Sequence, residues 1–185
     1  MDNQRYVEWF RNSAQYINAH RGETFVIQLD GAAVSDAAFP NLIHDLALLD
    51  SLGVRLVVVH GVRPQVEAAI ESTGGTISYR AGRPITDAKG LEAVKKAAGQ
   101  VRLEIEALLS MGLANSPMEG ASIRATSGNF VTAKPMGVRD GVDFGHTGEV
   151  RRIDATSIRE HLLLDEVVIV SPIGFSPTGE MFRLS

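Results

Sequence analysis

The sequence contains no cysteine. That excludes a disulfide framework, a cysteine-based metal site and a thiol nucleophile. Aromatic residues are scarce, at 6% with a single tryptophan, and no run of lysine or arginine stands out; the net charge is −4. Nothing in such a chain offers the basic, aromatic-studded surface that nucleic acid requires. Apolar runs are of strand length, far short of a membrane span. The first residues, Met1 to Tyr6, lack the basic and apolar regions of a signal peptide. No His-Glu-x-x-His, acidic calcium loop or Gly-x-Ser-x-Gly elbow is present. A cytoplasmic protein with neither membrane nor nucleic-acid partner is therefore expected, with no metal site.

What is present is an alternation of short apolar runs with amphipathic stretches. The 185 residues suit one domain with a layered core. Residues 3–19 carry Tyr6, Phe10, Ser13, Ala14 and Ile17 at three- and four-residue steps, which predicts a leading amphipathic helix. Packing on its own domain and contact with a neighbouring subunit both remain open for it. Phe25 to Leu29 is a continuous apolar run, as expected for a strand covered on both faces. A helix over 39–52 stops at Gly53, a strand follows over Leu56 to Val59, and a helix over Arg63 to Ser72 carries Pro64 in its first turn. Short strands flank Ala81-Gly82, and Asp87 caps a long helix reaching about Met111. Strands are expected over 122–126 and 130–133, around Ser127-Gly128-Asn129. A loop over 137–145 leads to a strand over 149–153, and Asp154 caps a helix to about Leu164. Strands follow at 167–170 and 181–184. The order gives an α/β domain with a largely parallel sheet between helix layers. No helix follows the last strand, so one side of the sheet is expected to lack cover, as in a chain cut inside a larger fold.

Two strand-to-helix turns, at Asp30-Gly31 and at His60-Gly61-Val62-Arg63, are where an open α/β sheet places its ligand. Gly61 and Arg63 form a fair anion site. Asp30 sits where a phosphate's charge would gather and would repel it. Gly31 and Gly61 read equally well as plain turn residues. His60 has no nucleophile beside it in sequence and reads as a histidine hydrogen-bonded within its turn. Arg80 and Arg83 flank a turn, and either holds a carboxylate or lies on the surface. His146 is a candidate base.

These segments resemble the amino-acid kinase family, and within it the N-terminal regulatory domain of the bacterial N-acetylglutamate synthases. The stretches that carry the resemblance are Tyr16 to Ile27, Leu52 to Gln65, Arg83 to Lys89, Ser127 to Phe130, Gly137 to Asp143 and His146 to Asp154, in the family's order. The resemblance implies a three-layer αβα sandwich of the carbamate kinase-like type, with the N-terminal lobe and part of the remainder over 21–185 and a leading helix over 1–20. Active kinases end their first strand in Lys-x-Gly-Gly, where the lysine stabilises the transferred phosphoryl group. Gln28 and Asp30 stand at the lysine and first-glycine positions here. The kinases' His-Gly-Gly-Gly is His60 to Arg63, and their Asn-x-Asp loop would follow Ser185. No catalytic residue is therefore expected.

The synthases convert acetyl-CoA and glutamate to N-acetylglutamate, the first step of arginine biosynthesis, on a separate acetyltransferase domain. No pyrophosphate loop of that domain appears here, so no cofactor is expected in this chain. The resemblance further implies L-arginine as an effector, with Tyr16 at a position lining its site. It implies Arg83 at a substrate-carboxylate position for glutamate or N-acetylglutamate, and a homo-oligomer contact through residues 3–19.

Overall fold

Four short strands carry the core because their apolar residues alternate between the two faces of one sheet. They are β1 (Thr24–Leu29), β2 (Arg55–His60), β5 (Arg124–Ser127) and β10 (Glu166–Val170). In this computed structural model, which describes residues 3–111 and 119–184, they form one parallel sheet in the order β1-β2-β10-β5. Residues 1, 2 and 185, the ends of the two expected segments, lie outside the described ones. The remaining elements are α1 (Asn3–His20), α2 (Gly31–Val34), α3 (Phe39–Ser51), α4 (Arg63–Glu71), β3 (Tyr79–Arg80), β4 (Arg83–Pro84), α5 (Ala88–Leu109), β6 (Val131–Pro135), β7 (Val138–Arg139), β8 (Val142–Asp143), β9 (Gly148–Ile153), α6 (Ala155–Leu163), β11 (Ile173–Phe175) and β12 (Met181–Arg183).

One face of the sheet is fully clothed. Leu29, Leu56, Val58, Val167 and Ile169 pack against Ile43 and Leu46 of α3, Val66 of α4, and Val94, Val101 and Ile105 of α5. The other face is covered only in part. Phe130 with Ile158 and Leu162 of α6 packs over Val57, Val59, Val168 and Val170. β1 departs from the expected strand covered on both faces: Phe25 and Ile27 join the core, but Val26 is 68% exposed. A run apolar at every position reads the same whether its second face is covered or bare. One side of the sheet is thus short of cover, as expected.

A second sheet, in the order β12-β11-β6-β9, is mixed, and it joins the strands on either side of Ser127-Gly128-Asn129 to different sheets. The Ala81-Gly82 hairpin forms with a ladder of only two residues a side. Both turn residues have positive φ, at 49° and 75°, matching the twist of a two-residue hairpin. The expected loop over 137–145 contains a second such ribbon, β7–β8, on Asp140-Gly141, at φ 50° and 74°. Both arms are tied down by a buried cluster: Thr86 Oγ1 lies 2.9 Å from Thr147 Oγ1, which donates at 2.6 Å to the Pro84 carbonyl. Asp87 and Asp154 cap α5 and α6 as read from the sequence, accepting from the amides of Gly90 and Ser157. α1 forms as expected but stands apart, with Tyr6, Trp9, Phe10 and Tyr16 each more than half exposed.

Candidate functional site

The carboxyl ends of β1 and β2 lie side by side, with Leu29 opposite His60 in register. This brings Gly31, His60, Gly61 and Arg63 to one place. The two turns are stitched together rather than opened. Asp30 turns its carboxylate onto its own helix and accepts from the Ala33 amide at 2.8 Å. The Gly61 amide donates to the Leu29 carbonyl at 2.7 Å. Gln65 donates to the Gly31 carbonyl at 2.7 Å and to Ser35 Oγ at 3.0 Å. A β-carbon on Gly31 would stand 2.6 Å from Pro64 Cδ and 2.7 Å from Gln65 Oε1; one on Gly61 would stand 3.2 Å from the Gly31 nitrogen. The Gly61 and Ala33 amides, which an open cradle would turn to a phosphate, are here met by the chain itself.

The two cations expected to hold an anion are engaged elsewhere. Arg63 Nε donates to Glu67 at 2.9 Å, and its guanidinium lies 4.6 Å over the Tyr79 ring. Tyr79 donates to the same carboxylate at 2.6 Å. The Tyr79 hydrogen bond, then Arg63, hold the Glu67 carboxyl below its usual range, while partial burial, then Glu67, push the phenol up. Arg83 reaches Glu149 at 3.2 Å, a carboxylate also met by Arg139 at 2.8 Å and Lys134 at 3.5 Å. Arg80 is exposed beside it on β3. His146 is built into the backbone, donating from its amide to Thr86 and accepting from Arg183, and its ring lies 6.4 Å from that of Phe182. Tyr16 is on α1, 63% exposed. Among the described residues no group of three or more His, Asp or Glu side chains stands close enough to hold a metal.

Three partners escape a reading of the sequence. His60 is 1% exposed, and its Nε2 lies 3.0 Å from Ser171 Oγ at the end of β10, 111 positions along the chain. Its Nδ1 is buried without a hydrogen bond. No carboxylate orients it, so the third member of a Ser-His nucleophile is missing. Gln65 closes the cradle from α4. Arg183 is 6% exposed, and among the described residues its side chain has no ion pair; its charge is felt by Glu67 and Tyr79. Gln65 follows the second turn and Ser171 the strand over 167–170, but only the strand order places them. The apolar neighbours of Arg183 were the sole hint of its burial.

Burial pushes the His60 ring below its ordinary value of 6.5, the Gly61 backbone opposes this, and the Arg102 charge adds to it. Above 6.5 the ring is neutral folded and unfolded. Below it the unfolded chain takes a proton that the folded ring refuses, so stability falls with pH down to the folded value. Urea midpoints from pH 7.5 to 5 should therefore fall more steeply for the wild type than for His60→Gln. The excess is at most about 1.4 kcal/mol per pH unit; parallel curves would show the ring is not buried neutral.

Beside these turns the uncovered sheet face forms a trough of about 650 Å³, walled by Val26, Val57, Val59, Ile153, Ile158 and Val170. Gln28 lines it.

The Amino acid kinase family matches residues 23–185 of this chain. An amino-acid acetyltransferase of Pseudomonas fluorescens is 56% identical over 182 residues, and one of Ectopseudomonas mendocina 55% over 180. In each case 97% of this chain is covered but only 42% of the relative's length. Among solved structures, N-acetylglutamate synthase from Neisseria gonorrhoeae, complexed with coenzyme A and L-arginine, superposes with a TM-score of 0.89 at 35% identity. That match covers 97% of this chain and 42% of the synthase. The same synthase with coenzyme A and N-acetyl-glutamate gives 0.86 at 34%. With the family match running from the first strand to the last residue, on a parallel sheet with glycine turns at its carboxyl end, this chain belongs to the amino acid kinase family.

Proposed function

We propose that this chain is the non-catalytic, kinase-like regulatory domain of an N-acetylglutamate synthase. The synthase joins acetyl-CoA to L-glutamate, opening arginine biosynthesis, and the transfer occurs on the part of the relatives that this chain does not span. The observation that carries the reading is the closed cradle: Asp30 caps its own helix, Gly31 and Gly61 are in contact, and Gln28 replaces the phosphate lysine. A γ-phosphate would meet a carboxylate and amides already bonded. Chain incubated with γ-labelled ATP and either glutamate or N-acetylglutamate should release no labelled acyl phosphate above a blank. Turnover by the wild-type chain above that blank would overturn the reading.

L-Arginine is the effector in this proposal, with Tyr16 contributing to its site and the exposed stripe of α1 meeting another subunit. The arginine complex of the Neisseria synthase supports the first part, and the bare Tyr6, Trp9 and Phe10 support the second. Removing residues 1–20 should lower the mass seen by light scattering and weaken arginine binding; unchanged mass and affinity would remove this part.

Arg183 favours a second reading, a small-carboxylate module for glutamate or N-acetylglutamate. A guanidinium this buried, with no counter-ion among the described residues, is costly, and a ligand carboxylate would relieve it. Calorimetry with both amino acids should then show heat that Arg183→Met abolishes. Silence at millimolar ligand would leave the regulatory reading standing alone.

A further inference from the structure

The two short ribbons meet on one carboxylate. β3–β4 and β7–β8 each carry a ladder of two residues a side, and a hairpin of that size is not stable alone in water. Arg83 of β4 and Arg139 of β7 both donate to Glu149 Oε1, at 3.2 Å and 2.8 Å. Lys134 Nζ lies 3.5 Å from Glu149 Oε2. Glu149 belongs to neither ribbon; it stands on β9, opposite Lys134 in the register with β6. Its side chain is 22% exposed, whereas those of the three cations are about half exposed. The cluster is short of negative charge. Three cations from three elements share one carboxylate, and Arg80 faces Arg83 across the β3–β4 ladder, an arrangement that like charges disfavour. β3–β4 has a further tie, from Tyr79 to Glu67 at 2.6 Å. Among the described residues, the Arg139 contact is the one hydrogen bond or ion pair that joins a side chain of residues 138–143 to another strand or helix.

We propose that Glu149 is a charge clasp, a single carboxylate on the second sheet that orders both ribbons and releases both when it is removed or screened. A lone surface pair contributes little. Removal of Glu149 does more than break pairs, because it takes away the shared partner and leaves three cations facing one another. Removal of one cation does the reverse: Glu149 stays, and the remaining cations keep it with less mutual repulsion. That asymmetry separates a clasp from a set of independent surface pairs. Because the cations are about half exposed, salt reaches them. Ionic strength therefore sets how firmly the ribbons are held.

The test is amide hydrogen exchange on the 185-residue chain, followed by NMR at the ladder amides of both ribbons, with those of β2 and β10 as the internal reference. Glu149→Gln should speed exchange about tenfold in β7–β8 and about threefold in β3–β4, which Tyr79 still ties to Glu67. The reference amides should not change. Arg139→Gln should speed β7–β8 alone. Sodium chloride at about 0.5 M should speed both ribbons in the wild type and add nothing in Glu149→Gln. Unchanged exchange in either ribbon of Glu149→Gln would overturn the proposal, because the anchor would then not be shared. So would an equal rise in the ribbons and the reference strands, which would mean a loss of overall stability rather than release of the ribbons.

Discussion

Replacing Ile169 with alanine should lower the unfolding free energy by about 4 kcal/mol and Tm by roughly 10 °C. Ile169 is fully buried in β10, a central strand with β2 on one side and β5 on the other. Its side chain enters the cluster where α3, α4 and α5 meet the sheet. The cavity left cannot collapse, because hydrogen-bonded strands on both sides hold its floor. Val26→Ala is the matched control. It removes apolar carbon from the same sheet, on the face left bare, and should change stability by no more than about 0.5 kcal/mol. Equilibrium denaturation of the two variants checks the pair. If Val26→Ala cost as much as Ile169→Ala, the trough would be occupied in solution and the sheet closed on both faces.

That contrast marks what a sequence of this kind reveals. Helices with a cap and a stripe are legible: Asp87 and Asp154 start α5 and α6 as read, because capping is local. The family is legible because its motifs recur in order. The bareness of Val26 is not, since period and composition describe a strand and not the layer above it. The ribbon on Asp140-Gly141 was available from its turn dipeptide, but strands of two residues are too short to show alternation. The site is the least legible part. Gly31, His60 and Gly61 are where their motifs placed them, yet Arg63 and Arg83 have turned to Glu67 and Glu149. Side-chain direction on an exposed helix or hairpin is decided by which opposite charge is nearest: Glu67 is an i,i+4 neighbour of Arg63 on α4 that the spacing offered, whereas Glu149 comes to Arg83 from elsewhere in the chain. The pairing of His60 with Ser171 depends on β10 lying beside β2, a crossover that no local pattern encodes.

Gly31→Ala tests the closed cradle directly, and it should destabilise the chain by about 3 kcal/mol. Gly31 has no unusual backbone angle, so conformational freedom is not the reason. The reason is contact. The new methyl would lie 2.6 Å from a proline ring carbon, 2.7 Å from Gln65 Oε1 and 3.0 Å from the backbone nitrogen of Arg63. The proline cannot rotate away and the nitrogen belongs to the first turn of α4, so only Gln65 can yield. If it does, the Gly31 carbonyl and Ser35 hydroxyl lose their donor. Overpacking against rigid neighbours commonly costs 1–3 kcal/mol, and a lost buried hydrogen bond adds about 1 kcal/mol. Gln65→Ala separates the two terms: it removes the donor and makes room, and should cost about 1–2 kcal/mol alone. In the double variant Gly31→Ala with Gln65→Ala, the loss should be less than the sum of the single losses, because the methyl then meets one obstacle fewer. Additive losses would mean that the two turns do not touch, and a gap between them would restore the room in which a phosphate could sit. The double-mutant cycle therefore measures, as an unfolding free energy, the same closure that argues against kinase chemistry.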